Sequence, residues 1–222
     1  MKFDIFSEVL FSVGPVEITE VVVTTWVVML ALALSGYFLT RGLTVWNPGK
    51  RQLVLEAVYQ AISDTIRDVL QRDPWEFVPL IGGMWLFIAS LNLVGLIPGL
   101  HNPTRDLSTA SALAFISFMS VHYYGIKHQG LKGYLQHYTR PVFILLPFNV
   151  FGELSRSLAM AVRLFGNMLS WEMIVAILLL LVGFLVPVPL ILLSIVGDVI
   201  QAYLFGALTL VFIAGSIKAT KI

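Results

Sequence analysis

From Pro141 to Ile217 the chain is apolar almost without a break, interrupted only by Pro187-Val188-Pro189. Two long apolar segments joined by a proline turn predict a helical hairpin in a membrane, because only helices and closed barrels satisfy their backbone groups in lipid. Pro147 to Val186 contains no proline and can form roughly 40 helical residues, about 60 Å at 1.5 Å per residue. That exceeds a hydrocarbon core of about 30 Å, so the helix must tilt steeply, kink or run partly along the membrane plane. Within this hairpin lie Glu153, Ser155, Arg156, Arg163, Asn167, Glu172, Ser194, Asp198 and Gln201. Arginine cannot shed its proton, and its insertion at the bilayer centre costs at least roughly 2.5–3.5 kcal/mol.

The composition places the whole chain in the same class. Of 222 residues, 58% are hydrophobic and 12% charged, with a mean hydropathy of +0.87. A soluble domain is about half apolar and a quarter charged. The expectation is an all-α polytopic membrane protein forming a single domain over residues 1–222. A net charge of +1 gives no global attraction to nucleic acid, and none is expected as a partner. The absence of cysteine excludes disulfides and thiolate metal sites. No phosphate-binding glycine loop, metal-binding HExxH helix or GxSxG elbow occurs, and no cofactor is expected. The N-terminal segment, residues 1–20, carries Asp4 and Glu8 and lacks a basic region followed by a short apolar core and a small-residue cleavage site, so no signal peptide is expected.

Residues 21–39 predict a first crossing, and Asn47-Pro48-Gly49 a turn. Residues 51–70 differ: Leu53, Val54, Ala57, Val58, Ala61, Ile62, Thr65, Ile66, Val69 and Leu70 recur at helical spacing. Gln52, Glu56, Gln60, Asp64, Arg67 and Asp68 fill the other face. This is an amphipathic helix that does not cross. Asp73-Pro74 marks a stop. Residues 77–100 and 107–124 predict a second and third crossing, separated by the polar segment His101 to Asp106. A basic loop is expected from Lys127 to Arg140, with His128 and His137 as solvated residues. Residues 141–217 supply the hairpin.

The lysine and arginine distribution orients these segments. Arg41, Lys50, Arg51, Arg67, Arg72, Lys127, Lys132, Arg140, Lys218 and Lys221 fall on one side, whereas Lys2 and Arg105 fall on the other. The rich side is expected to be cytoplasmic. The N-terminus then lies outside, the C-terminus inside, and the chain crosses five times.

Each polar group in the hairpin has two readings. Arg163 and Asn167 share one face, and Arg156 joins it seven residues earlier. Arg163 either acts on a mobile ion or merely pairs with an internal acid. Arg156 either lines a pathway or snorkels to the interface. Glu172, half a turn round from Arg163, is either a pathway acid or an interfacial one. Ser194, Asp198 and Gln201 share a face of the returning helix, where Asp198 either titrates or only bonds between helices. Asn92, in the second crossing, can also simply bond across helices.

Arg163-Leu-Phe-Gly-Asn-Met168 resembles subunit a of F-type ATP synthases, the membrane stator that faces the rotating c-subunit ring. Pro103-Thr-Arg-Asp-Leu-Ser108 resembles the family's Pro-Thr-Ala-Asp-Leu-Asn loop. Glu153-Leu-Ser-Arg156 resembles its Glu-x-x-Arg, and Gln201-Ala-Tyr-Leu-Phe205 its Gln-Ala-Tyr-x-Phe. Glu172 matches an acidic position nine residues after the key arginine. The match is specific from about residue 75 onward and rests on hydropathy alone before that. One position departs: the family carries Glu or His seven residues before the glutamine, where this chain has Ser194, and an acid appears at Asp198. The Ile126 to Tyr134 segment is similar to an alternate, N-type branch that is associated with sodium transport in some members.

The resemblance implies a stator for H+ or Na+ in a bacterial cell membrane. Its partners would be the c-subunit ring, b-type peripheral stalk subunits, the F1 head through the complex, and lipid. An outer half-channel would involve Asn92, Asp106, Ser108, Glu172 and Asp198. Arg163, oriented by Gln201, would pair with the unloaded ring carboxylate and block leakage. The inner half-channel would lie near Glu153, Ser155 and Arg156, and ATP chemistry would occur on other subunits. The alternative from the residues alone is a self-contained secondary transporter or channel, which would show paired half-structures and broken helices.

Overall fold

The structure, a computed structural model, describes residues 9–13, 16–44, 48–97, 100, 102–139, 146–183 and 186–218. Six α-helices dominate: α1 (Glu20–Thr40), α2 (Lys50–Leu70), α3 (Val78–Val94), α4 (Leu107–Thr139), α5 (Leu146–Val182) and α6 (Pro187–Lys218). Two strands, β1 (Val9–Val13) and β2 (Val16–Thr19), precede them as an antiparallel hairpin. This short hairpin was not expected, and it precedes a chain that is otherwise helical, as the all-α expectation had it. Its sequence signal is Gly14-Pro15 between two β-branched segments.

Helices α1, α5 and α6 are long and apolar enough to cross a membrane; α3, at 17 residues, is apolar but shorter. Helix α2 spans the segment expected to be amphipathic, burying Ser63, Ile66 and Leu70. It ends where Gln71 turns left-handed (φ 54°) and returns its N–H to the Arg67 carbonyl. Asp73 then caps a 3-10 turn by accepting from the Trp75 N–H at 3.3 Å.

Two boundaries differ from expectation for stated reasons. The predicted basic loop is helical: α4 continues past residue 124 to Thr139, with one break at Gly130 (φ 73°) that glycine alone adopts easily. The break lets Tyr134 fold back and become buried against Gly125, where a Cβ would strike both Tyr134 and Ser216. Within this segment Lys127 and His128 reach Glu76 at 2.7 and 3.2 Å, so His128 is not simply a solvated loop residue. Arg140 and the side chain of His137 lie outside the described residues. The hairpin turn also comes earlier than the prolines. It begins at Gly183 (φ 83°), and Pro187 opens α6, where a missing N–H costs nothing.

Helix α6 is the organising element, packing against α2, α3, α4 and α5. One core cluster joins Met84, Ile88 and Leu91 of α3, Leu113 of α4, Leu164 of α5 and Phe205 of α6. A second joins Ile66, Phe77, Ile81, Val121, Leu210 and Ile213. Between α4 and α6 the Ser117 and Thr209 hydroxyls, both fully buried, pair at 2.7 Å. Glu76 is clamped at the far end: its backbone carbonyl accepts from the Tyr124 hydroxyl at 3.0 Å. The Lys127 ammonium holds its carboxyl below the usual carboxylate range, against the opposing effect of burial, with His128 adding to the shift. This contact is therefore complete above the ordinary carboxylate pKa and is lost as acidification protonates Glu76.

Close approach of α3 and α6 depends on Gly206. A Cβ there would fall within the Trp85 indole, which donates to the Tyr203 carbonyl at 2.9 Å and stacks on the Tyr203 ring. Gly206→Ala must displace that indole and break its hydrogen bond. The expected cost is about 1–3 kcal/mol, read as a lower unfolding midpoint of the purified complex in detergent. An unchanged midpoint would show that α3 and α6 tolerate the methyl without the Trp85 contact moving.

Candidate functional site

Arg163 lies on the exposed side of α5, with apolar Leu158 and Val162 exposed nearby and Leu164 fully buried on the opposite side. Among the described residues no hydrogen bond or ion pair engages it. The reading in which it only holds helices together through an internal ion pair therefore finds no support in the structure. Asn167, one turn on, is half-buried. Gln201 is buried on α6, and its Nε2 makes no hydrogen bond among the described residues.

On one side of Arg163 along α5 lies a polar cluster. Glu172, about 14 Å further at helical rise, accepts from the Arg105 guanidinium and forms an ion pair with it. Arg105 comes from the 3-10 turn Pro103–Arg105, whose start is capped by Asn102. Asn92 is 1% exposed and fully used: its Oδ1 accepts from the Thr104 hydroxyl at 2.8 Å and its Nδ2 donates to the Asp198 backbone carbonyl at 3.1 Å. Asn102 donates to the Asn92 carbonyl and to the Met168 sulfur at 3.2 and 3.1 Å. The turn is thus tied directly to α3 and α5, and to α6 through Asn92.

Asp198 is buried on α6, and its Oδ1 has no hydrogen-bond partner among the described residues. Ser194, one turn earlier, spends its hydroxyl on the Ile191 carbonyl of its own helix. Asp106 accepts from the Ser108 N–H at 2.8 Å and so fixes the start of α4. Ser108 itself is exposed.

On the other side of Arg163 is a cleft of about 540 Å³ between α4, α5 and α6. Glu153, Arg156 and Ser157 line it from α5, His122 and Tyr134 from α4, and Phe212 and Ser216 from α6. Glu153 Oε2 stands 3.4 Å from His122 Nε2. The Arg156 guanidinium lies over the Phe212 ring, 5.7 Å from its centroid. Ser155 is exposed.

Sequence reasoning missed Arg105, Asn102, Thr104 and His122 as members of these clusters. Arg105 had a visible signal, since it replaces the alanine of the loop pattern it resembles. His122 had none: it lies in an apolar helix, and its partner is 31 positions away.

These features define a helical membrane protein with two polar clusters along α5, one on either side of the exposed Arg163. A family model described as "ATP synthase A chain" matches residues 22–214. The chain is 44% identical to ATP synthase subunit a 1 of Hahella chejuensis, over 99% of this chain and 93% of that protein. It is 46% identical to ATP synthase subunit a 2 of Pelobacter propionicus, over 97% and 94%. With ATP synthase subunit a of Legionella pneumophila the identity is 42%, over 96% and 92%. The chain belongs to the ATP synthase A chain family.

Proposed function

We infer that this chain is the stator of the membrane sector of an ATP synthase, conducting ions past a rotating ring of c-subunits. The observation that carries the reading is Arg163: a fixed charge, exposed on an apolar helix face and unpaired among the described residues. Such a charge calls for a partner from another chain, and a carboxylate on the c-subunit ring would supply it. Arg163 would hold each unloaded carboxylate and bar direct leakage between the two polar clusters. Its attraction must be strong enough to strip the ion and weak enough to release the site.

The outer half-channel would comprise Asn92, Asp106, Ser108, Glu172 and Asp198. The inner one would comprise Glu153, Ser155 and Arg156. Gln201, Ser194 and Asn167 would shape the path close to Arg163. The b-type stalk and the F1 head would complete the complex, with nucleotide chemistry on the head.

The arrangement supports five crossings with α2 on the cytoplasmic side. Lys127, Glu76 and the end of α6 gather at one end of the molecule: Tyr124 reaches Glu76, and Gln129 donates to the Ser216 carbonyl. Arg105 and Glu172 gather at the other. At about 55 Å, α5 would have to incline across a core of about 30 Å.

Cysteines at Glu56 and Asp64, both exposed on α2, are expected to label from the cytoplasmic face of intact cells and inverted vesicles. Labelling of both only from outside would reverse the orientation. The stator reading itself is tested by Arg163 replacement, argued in the Discussion, and by co-purification with a c-ring and ATPase head.

A further inference from the structure

Resting on the stator reading, we propose that His122 is a proton-carrying residue of the inner half-channel, working as a pair with Glu153. His122 Nδ1 lies 2.9 Å from the Phe118 carbonyl oxygen. A carbonyl can only accept, so Nδ1 keeps its hydrogen and the tautomer is fixed. Nε2 is then the basic nitrogen, and it faces Glu153 Oε2 at 3.4 Å across the cleft. A small side-chain shift or one water closes that gap for proton transfer.

The ring is set by its surroundings. Phe118 packs on it with centroids 4.2 Å apart, and Tyr134 meets it edge-on at 5.9 Å. The titratable and charged groups facing it are Tyr134 from its own helix beyond the Gly130 break, and Glu153 and Arg156 from α5. The described cleft residues of α6 are Val211, Phe212, Gly215 and Ser216, which add no charge. Lys127 is engaged elsewhere, on Glu76.

The step balances with water alone. In the direction of ring loading from the cytoplasm, Nε2 takes a proton from a cytoplasmic water as its O–H bond breaks, the hydroxide leaves to the bulk, and His122 becomes an imidazolium. The Nε2–H bond then breaks as Glu153 Oε2 takes the proton, and neutral imidazole is restored. The reverse order releases a proton inward. This chemistry also names the cargo class at the inner mouth. An imidazole nitrogen beside a guanidinium is a proton relay, whereas a hard sodium ion calls for a cage of oxygens.

The test uses the complete ATP synthase in inverted membrane vesicles, with ATP-driven acidification followed by a pH-sensitive dye. The rate of His122→Gln is divided by that of the parent at each external pH, so that the head's own pH dependence cancels. The external face is then the cytoplasmic one. Protons become scarce there as pH rises through the histidine range, and the relay matters most. The expected ratio is near one at about pH 6 and falls about fivefold or more by about pH 8.

Glu153→Gln should give the same falling profile, and the double variant should be no worse than the poorer single one. If His122→Gln fails to co-purify with the complex, His122→Asn and Glu153→Gln carry the measurement. A pH-independent ratio would assign His122 a structural role and overturn the proposal, as would a ratio of one throughout. Uptake of radiolabelled sodium without acidification would overturn it too. Failure of the stator reading is separately visible, because normal pumping by an Arg163→Ala complex overturns that reading whatever His122 does.

Discussion

An Arg163→Ala subunit is expected to insert and assemble with the complex while losing both ATP-driven ion pumping and gradient-driven synthesis. The residue lies on the exposed side of α5 and makes no hydrogen bond or ion pair among the described residues that its loss would break. Folding of the subunit should therefore be indifferent to it, or gain slightly from removal of a charge that is costly in lipid. Coupling should not be indifferent. Removing one partner of a buried charge pair costs roughly 3–5 kcal/mol, about two to three and a half orders of magnitude in rate. Arg163→Lys should fail as well, because an ammonium lacks the planar fork and can release its proton when desolvated. Vesicles carrying either variant and pumping at the parent rate would sink the assignment of Arg163.

The second large effect is expected at Asp198. Asp198→Asn should lower ion-driven ATP synthesis at least about tenfold, equivalent to roughly 1.4 kcal/mol in the limiting barrier, without reducing assembly. Three observations motivate this. Ser194, where the resembled family carries a titratable side chain, turns its hydroxyl onto its own helix. Asp198, one turn later, is buried with Oδ1 left without a hydrogen-bond partner among the described residues. Glu172, by contrast, is held in an ion pair with Arg105. The amide keeps the size of the carboxylate and its capacity to hydrogen-bond while removing its titration and its charge. Assembly can be checked on the same preparation, because Asn92 grips the Asp198 backbone carbonyl, which the substitution leaves in place. Normal synthesis by Asp198→Asn alongside failure of Glu172→Gln would reduce Asp198 to a packing role.

These expectations separate by where their evidence lies. Arg163 stood out in the sequence because an ionised side chain in a long apolar segment is costly wherever the segment folds. The apolar α1 and the amphipathic α2 were legible for a similar reason. Hydropathy and helical period are properties of consecutive residues, and α2 falls at Lys50–Leu70 against an expected 51–70. The β-hairpin before α1 was missed because its segments are short, and alternation over four or five residues competes weakly with an apolar background. The extension of α4 was missed because a lysine- and tyrosine-rich segment reads as a loop. What keeps it helical is contact with distant groups, Glu76 and Ser216.

The sequence by itself determined that this chain lives in a membrane, which segments are apolar enough to cross it, and that Arg163 is a charge whose cost there calls for a reason. Those conclusions follow from transfer energies and chain periodicity, which act on each segment separately. Only the tertiary structure decided which charges meet. It tied Arg105 to Glu172 across 67 positions and set His122 against Glu153. It also left Arg163 on an outer face and turned Asp198 inward, with one carboxylate oxygen unpartnered among the described residues. Pairings of that kind depend on how helices rotate and pack against one another. That rotation is set by close contacts such as Gly206 on Trp85 and Ser117 on Thr209, and no local pattern along the chain records it.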